Sequence, residues 1–197
     1  MKAIGQILSL LICLLAVAIA DSCTEQGHGN AVPKPEGWPR LTLPGNSYTA
    51  RTVGPARLCF NSEATVGIDR KDDASWWITV TYPQFRNATL YLTLSATSPA
   101  EFEKNLGNRR ERMELNAGAA TTILTELTSA GNWHCELAET VTSLTTPVQL
   151  LATDSVNILS GAFYLNLPPG SSPDSIAPMV RAVRDDMLYL LKNCADE

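Results

Sequence analysis

The sequence predicts an α+β fold: a single-domain sandwich in which an antiparallel-rich sheet is flanked by two helices. Three observations predict it. Short runs of β-branched and aromatic residues follow one another with hairpin-length links, not in a repeating βαβ pattern. Only two segments, one after Ser98 and one after Asp174, carry helical periodicity. The chain has 197 residues, 45% hydrophobic and 18% charged, which suits one folded domain.

The first element is a processing segment. Lys2 precedes an apolar run from Ile7 to Ala20 that is shorter than the ~20 residues of a spanning helix and closes on small residues, as a secretory signal does. Two cleavage readings compete. Ala18-Ile19-Ala20 has small residues where signal peptidase requires them, and Ala20-Asp21-Ser22-Cys23 resembles a bacterial lipobox. The lipobox is preferred because Cys23 is the first cysteine after the run; Cys13 lies inside the run and leaves with it. Residues 1–22 are then a lipoprotein signal peptide, Cys23 is the lipidation site, 23–36 is a flexible tether and 37–197 is the folded domain. Acyl chains on Cys23 would hold the domain at a membrane, since each buried methylene adds ~0.8 kcal/mol. Cleavage after Ala20 would instead leave a soluble periplasmic protein. The tether is polar with Gly and Pro, and its His28 reads as a solvated linker residue. Export places Cys59, Cys135 and Cys194 where disulfides form. With Cys23 lipidated the count is odd, so either one bridge with a free thiol or three buried thiols would result; a free Cys23 would allow two bridges.

The folded part begins with Leu41 and Leu43 alternating with polar residues as a strand would, until Pro44-Gly45-Asn46. Leu58-Cys59-Phe60 and Thr65–Ile68 are short strands, followed by a charged turn from Asp69 to Ala74. Trp76–Tyr82 and Ala88–Leu94 form a hairpin around Pro83–Asn87, with Leu90, Leu92 and Leu94 on one face and Thr89, Tyr91 and Thr93 on the other. Ser98-Pro99-Ala100-Glu101 has capping-box spacing and starts a helix whose apolar positions are Phe102, Leu106 and Met113, with Lys104, Arg109, Glu111 and Arg112 on the solvent side. Asn116-Ala117-Gly118 ends it. Ala120–Leu127, Trp133–Val141, Val148–Ala152 and Asn157–Leu167 are further strands. The final helix carries an apolar stripe of Ile176, Val180, Val183, Met187, Leu190, Leu191 and Cys194, with Arg181, Arg184, Asp185 and Asp186 outside it. Its cap is Asp174 or Ser175, because a start at Ser172 would place Pro178 too deep.

A formal net charge of −5 argues against nucleic-acid binding. With only His28 and His134, a hydrolytic triad would depend on His134, and no G-x-S-x-G elbow accompanies it. His134 and Cys135 are neighbours in a strand, so they point to opposite faces and do not share a metal site. Asp72-Asp73 and Asp185-Asp186 lack calcium-loop spacing and read as solvated charges. No catalytic residue, metal site or cofactor is assigned. Trp76-Trp77 places one indole on each face of a strand, so one joins the core and the other is a possible ligand platform. Thr153-Asp154-Ser155 reads as a turn between strands or as a partner contact. The ligand or partner contacts expected are therefore Trp76, Trp77, Thr153, Asp154 and Ser155.

Several of these segments together resemble the gliding-motility-associated lipoproteins called GldD. The match runs through Pro33-Lys34-Pro35-Glu36-Gly37-Trp38, Trp77–Phe85 with Asn87–Leu92, and more strongly Gln149–Ser155, Leu159–Asn166 and Asp174–Pro178. Where the family has Cys-Trp at the start of the hairpin this chain has Ser75-Trp76, so no family disulfide carries over. The resemblance implies an outer-membrane lipoprotein without catalytic residues. It would support gliding motility and the linked protein-secretion machinery through contacts with other envelope lipoproteins or secretion and motility components. The alternative is a ligand-binding lipoprotein for a glycan or small molecule.

Overall fold

Alternation of apolar and polar residues at period two builds most of this domain. The computed structural model describes residues 41–85, 88–167 and 170–196. The signal segment, Cys23, the tether with His28 and the Pro-Lys-Pro stretch lie outside the described residues. In order the chain forms β1 (Tyr48–Val53), β2 (Ala56–Asn61), β3 (Thr65–Asp72), β4 (Ser75–Tyr82), β5 (Ala88–Ala96), α1 (Phe102–Ala117), β6 (Thr122–Thr128), β7 (His134–Thr140), β8 (Val148–Thr153), β9 (Asn157–Tyr164), α2 (Pro173–Lys192) and β10 (Ala195–Asp196). The class is α+β, as the sequence predicts. Two antiparallel sheets form, a seven-stranded one in the order β3-β4-β5-β9-β8-β7-β6 and a three-stranded one in the order β1-β2-β10.

Register decides which side chains share a face. Trp76, Ile78 and Val80 of β4 stand opposite Leu94, Leu92 and Leu90 of β5, and Leu90 and Leu94 stand opposite Phe163 and Leu159 of β9. The row continues through Leu150 and Ala152 of β8 to Leu137 and Cys135 of β7. On this inner face lie Val183, Met187, Leu190 and Leu191 of α2, together with Ala56, Leu58 and Phe60 of the small sheet, in one buried cluster. Each fully buried Leu, Ile or Phe contributes about 1.5–3 kcal/mol, so this layer dominates stability. The outer face has a smaller cluster, where Phe102 and Leu106 of α1 meet Leu151 and Ile158, with Met113 alongside. Each helix therefore covers one face of the large sheet, and a second sheet shares the inner side with α2.

Several element ends differ from the sequence reading. Leu41 and Leu43 lie outside any strand, whereas β1 and β10 form without a clear sequence signal. β3 runs on to Asp72, shortening the charged turn. The Ser98–Glu101 segment closes a turn, Glu101 N donating to Ser98 O at 3.0 Å, and α1 begins at Phe102 without a side-chain cap. α2 begins at Pro173 with Ser172 as its cap: the Ser172 hydroxyl accepts from Ser175 N, and the Ser172 N–H donates to Ser175 Oγ. This reciprocal capping, with a proline at the first helical position, outweighs the cost of Pro178 inside the helix, where one backbone hydrogen bond near the N-terminus is forgone.

Candidate functional site

Side chains that leave the core distinguish three regions of the large sheet: a tryptophan pair on β4, a groove beneath α1 and the free edge of β6. In the pair, Trp76 points inward and packs against the main core. Its ring lies over Gly54, whose φ is +54° and where a Cβ would come within 2.5 Å of the indole, so the β1–β2 turn and Trp76 require each other. Trp77 points outward and is 50% exposed, with Lys71 Nζ 4.9 Å from a ring centroid. The expectation of one indole against the core and one exposed holds, and Trp77 is the exposed one.

Thr153, Asp154 and Ser155 form the β8–β9 turn. Thr153 Oγ1 donates to Asn157 O at 2.7 Å, and Asp154 Oδ1 accepts from Val156 N at 2.9 Å and Asn157 N at 2.6 Å. Partial burial opposes ionisation of Asp154, but the donors of Asn157 and Val156 outweigh it and hold the carboxyl below its ordinary range. Ser155 takes a φ of +78°. Most of the polar groups of this motif are spent on the turn, which lies apart from Trp77.

The groove lies on the outer face between α1 and the strands β5 and β9. It has a volume of about 200 Å³ and is walled by Arg109, Arg112, Met113 and Asn116, with Tyr91, Thr93, Ser160 and Tyr164 among the floor residues. Two contacts hold the helix above it. Asn116 Nδ2 donates to Gln149 Oε1 at 2.9 Å, and Gln149 Nε2 donates to the Met113 carbonyl at 3.0 Å. Arg109, placed on the solvent side by the sequence reading, is half-buried and donates to Ser95 Oγ at 3.3 Å. Its spacing explains this: positions 102, 106, 109 and 113 make one stripe, so Arg109 belongs to the buried side of α1. Tyr91 and Tyr164 stand edge to face with centroids 5.7 Å apart, both half exposed.

Arg110 instead reaches β7, where its Nη2 donates to the buried Glu136 Oε1. His134 Nε2 lies 3.5 Å from the same oxygen, and Glu126 completes a group of three donors within 4.8 Å of one another. His134 is thus beside two carboxylates and not beside Cys135, whose thiol is buried on the opposite face. Glu136 is already neutralised by Arg110, which makes this group an ion-pair anchor for α1.

The two outer edges of the large sheet differ. β3 carries Asp69, Arg70, Lys71 and Asp72, charges that discourage strand pairing. β6 reads Thr-Ile-Leu-Thr-Glu-Leu-Thr, with Ile123 and Leu124 each 53% exposed, and ends the sheet among the described residues.

Fold and surface together define an α+β sandwich with one sheet face sealed, the other part-open and one strand edge that carries a single charge, Glu126. The chain belongs to the gliding motility lipoprotein GldD family, whose sequence model matches residues 28–195. The protein is accordingly a lipoprotein of gliding motility, with the envelope location that a lipoprotein has. No curated protein matches the chain.

Proposed function

We propose that this protein is a non-catalytic lipoprotein, held at the outer membrane through lipid on Cys23, that supports gliding motility and the associated secretion machinery by binding other envelope components. The observation that carries the reading is the unprotected edge of β6. An edge of threonine and aliphatic residues, with one carboxylate and no lysine or proline, accepts an added strand from another chain. Val141, whose N–H donates to the Thr121 carbonyl beside the start of β6, is exposed as well and adds aliphatic surface there. The occupant favoured is an extended, apolar-alternating segment of a motility or secretion protein.

The test uses the native host with the chromosomal copy deleted and full-length variants restored. Ile123→Lys with Leu124→Lys places gatekeeping charges on both faces of the edge strand without touching the core. The expected result is a lipoprotein at normal abundance that no longer co-purifies with its partners from detergent-solubilised envelopes and no longer restores gliding. Wild-type co-purification and motility in that variant would overturn the reading.

A second reading, a lipoprotein that binds a glycan or small molecule, is favoured by the groove between α1 and the β5–β9 surface. Trp77 on the same outer face adds an exposed aromatic ring.

A further inference from the structure

The groove beneath α1 is unusual in its charge. The chain as a whole is acidic, yet Arg109 and Arg112 both line this groove and no carboxylate lines it among the described residues. Arg110, their neighbour, has Glu136; Arg109 and Arg112 have no ion-pair partner among the described residues. A half-buried guanidinium without a counterion pays for desolvation with only the Ser95 contact in return. Burial holds the Arg109 guanidinium below its ordinary value, and the like charge of Arg112 adds to the effect. An anion entering the groove would offset both penalties by pairing with the two guanidinium groups.

The rest of the lining narrows the anion. Thr93 and Ser160 supply neutral hydroxyls on the floor, and Tyr91 and Tyr164 present aromatic rings beside them. Aromatic rings beside neutral hydrogen-bonding groups suit a ligand that is itself part apolar and rich in hydroxyls. A volume of about 200 Å³ admits one sugar unit. We infer that the groove between α1 and the β5–β9 surface is a binding site for a carboxylate-bearing sugar, its carboxylate held by Arg109 and Arg112 and its hydroxyls and ring by Thr93, Ser160, Tyr91 and Tyr164. This rests on the ligand-binding reading and names the ligand class; the β6 edge plays no part in it.

The experiment is a calorimetric titration of the full mature lipoprotein in detergent with methyl β-D-glucuronide, methyl β-D-glucoside and inorganic phosphate. The two glycosides differ only in carboxylate against hydroxymethyl. Saturable binding of the glucuronide, weakened about tenfold or more by Arg109→Gln and by Arg112→Gln, is the expected result, since a charged hydrogen-bonding pair is lost each time. Arg112 is exposed, so its variant reports on binding even if Arg109→Gln disturbs α1. Equal binding of the glucoside would overturn the carboxylate assignment while leaving a sugar site. Phosphate binding as tight as the glucuronide would overturn the sugar assignment. Binding of none of the three would remove the ligand reading with it.

Discussion

Tyr48 Oη donates to Asp186 Oδ1 at 2.9 Å, joining the first strand of the small sheet to the middle of α2. Asn61 Nδ2 reaches the same oxygen at 3.0 Å, and the Tyr82 hydroxyl is drawn to the carboxylate from β4. A buried acid thus ties both sheets to α2. Its Oδ2 has no partner in hydrogen-bond geometry, and the carboxylate makes no ion pair among the described residues.

That arrangement makes stability depend on pH. Burial raises the Asp186 pKa above its ordinary value, against the opposing effect of the Asn61, Tyr48 and Tyr82 donors. The folded state therefore holds this proton more tightly than the unfolded chain. The resulting stabilisation is complete below the ordinary carboxylate range and is lost as pH rises through the folded-state value. Asp186→Asn keeps an acceptor for Tyr48 and Asn61 without the charge. Urea midpoints measured from about pH 4 to pH 7 are expected to fall less with rising pH in the variant than in the wild type. Parallel curves would show that Asp186 does not titrate differently on folding.

The pair between Arg110 and Glu136 anchors α1 to β7, and Glu136 is the buried member. Arg110→Ala leaves a desolvated carboxylate opposite Glu126, with only the partly exposed His134 beside it. A loss of about 1–2 kcal/mol is expected from the orphaned acceptor, reduced by the solvent that already reaches Arg110. Thermal or urea unfolding checks this, and an unchanged midpoint would show that solvent screens the pair fully.

Gly161 of β9 stands opposite Leu92 of β5. A Cβ there would lie 2.3 Å from the Tyr91 carbonyl oxygen and 2.5 Å from Leu92 Cδ2. The carbonyl belongs to a central strand and cannot yield, so Gly161→Ala is expected to destabilise by at least the ~1–3 kcal/mol typical of overpacking. Gly67→Ala in the edge strand β3 is the control, because nothing lies within 4 Å of its added carbon. Comparable losses in both variants would mean that strand conformation and not contact sets the effect.

Cys59, Cys135 and Cys194 are free and buried. Burial pushes the Cys135 thiol up to about 11, and burial with the neighbouring Cys135 pushes Cys194 higher still. A water-soluble thiol reagent at about pH 8 should modify none of them in the folded protein and all three after unfolding in denaturant. Rapid reaction in the native state, or fewer than three reactive thiols after unfolding, would contradict free and sequestered cysteines.

Much of this was legible in the sequence, and the failures have separate physical causes. Leu90, Leu92 and Leu94 alternate cleanly, and the stripe from Ile176 to Cys194 follows helical spacing, so the sheet core and α2 could be read directly. Arg109 falls on the apolar stripe of α1, at 106+3, and Asp186 on that of α2, at 183+3, yet their charge placed them in solvent. Here spacing was the better guide, because hydrogen bonds to Ser95 and to Tyr48 and Asn61 make burial tolerable. β1 and β10 escaped notice for a different reason. β1 is mostly exposed and β10 is two residues long, so each depends on pairing with β2 and carries no pattern of its own. The groove needed the fold, since Tyr91, Arg109 and Tyr164 meet only through sheet order.

β2 receives β1 from one side and β10 from the other, and Tyr48 and Asp186 are 138 residues apart in the chain. The small sheet is thus completed only when α2 and β10 come back to the opening hairpin. Until then, the inner row of β4, β5, β9, β8 and β7 has no helix to cover it. A chain in that condition leaves a broad oily face open, so closure of the final helix is the step that withdraws this face from water.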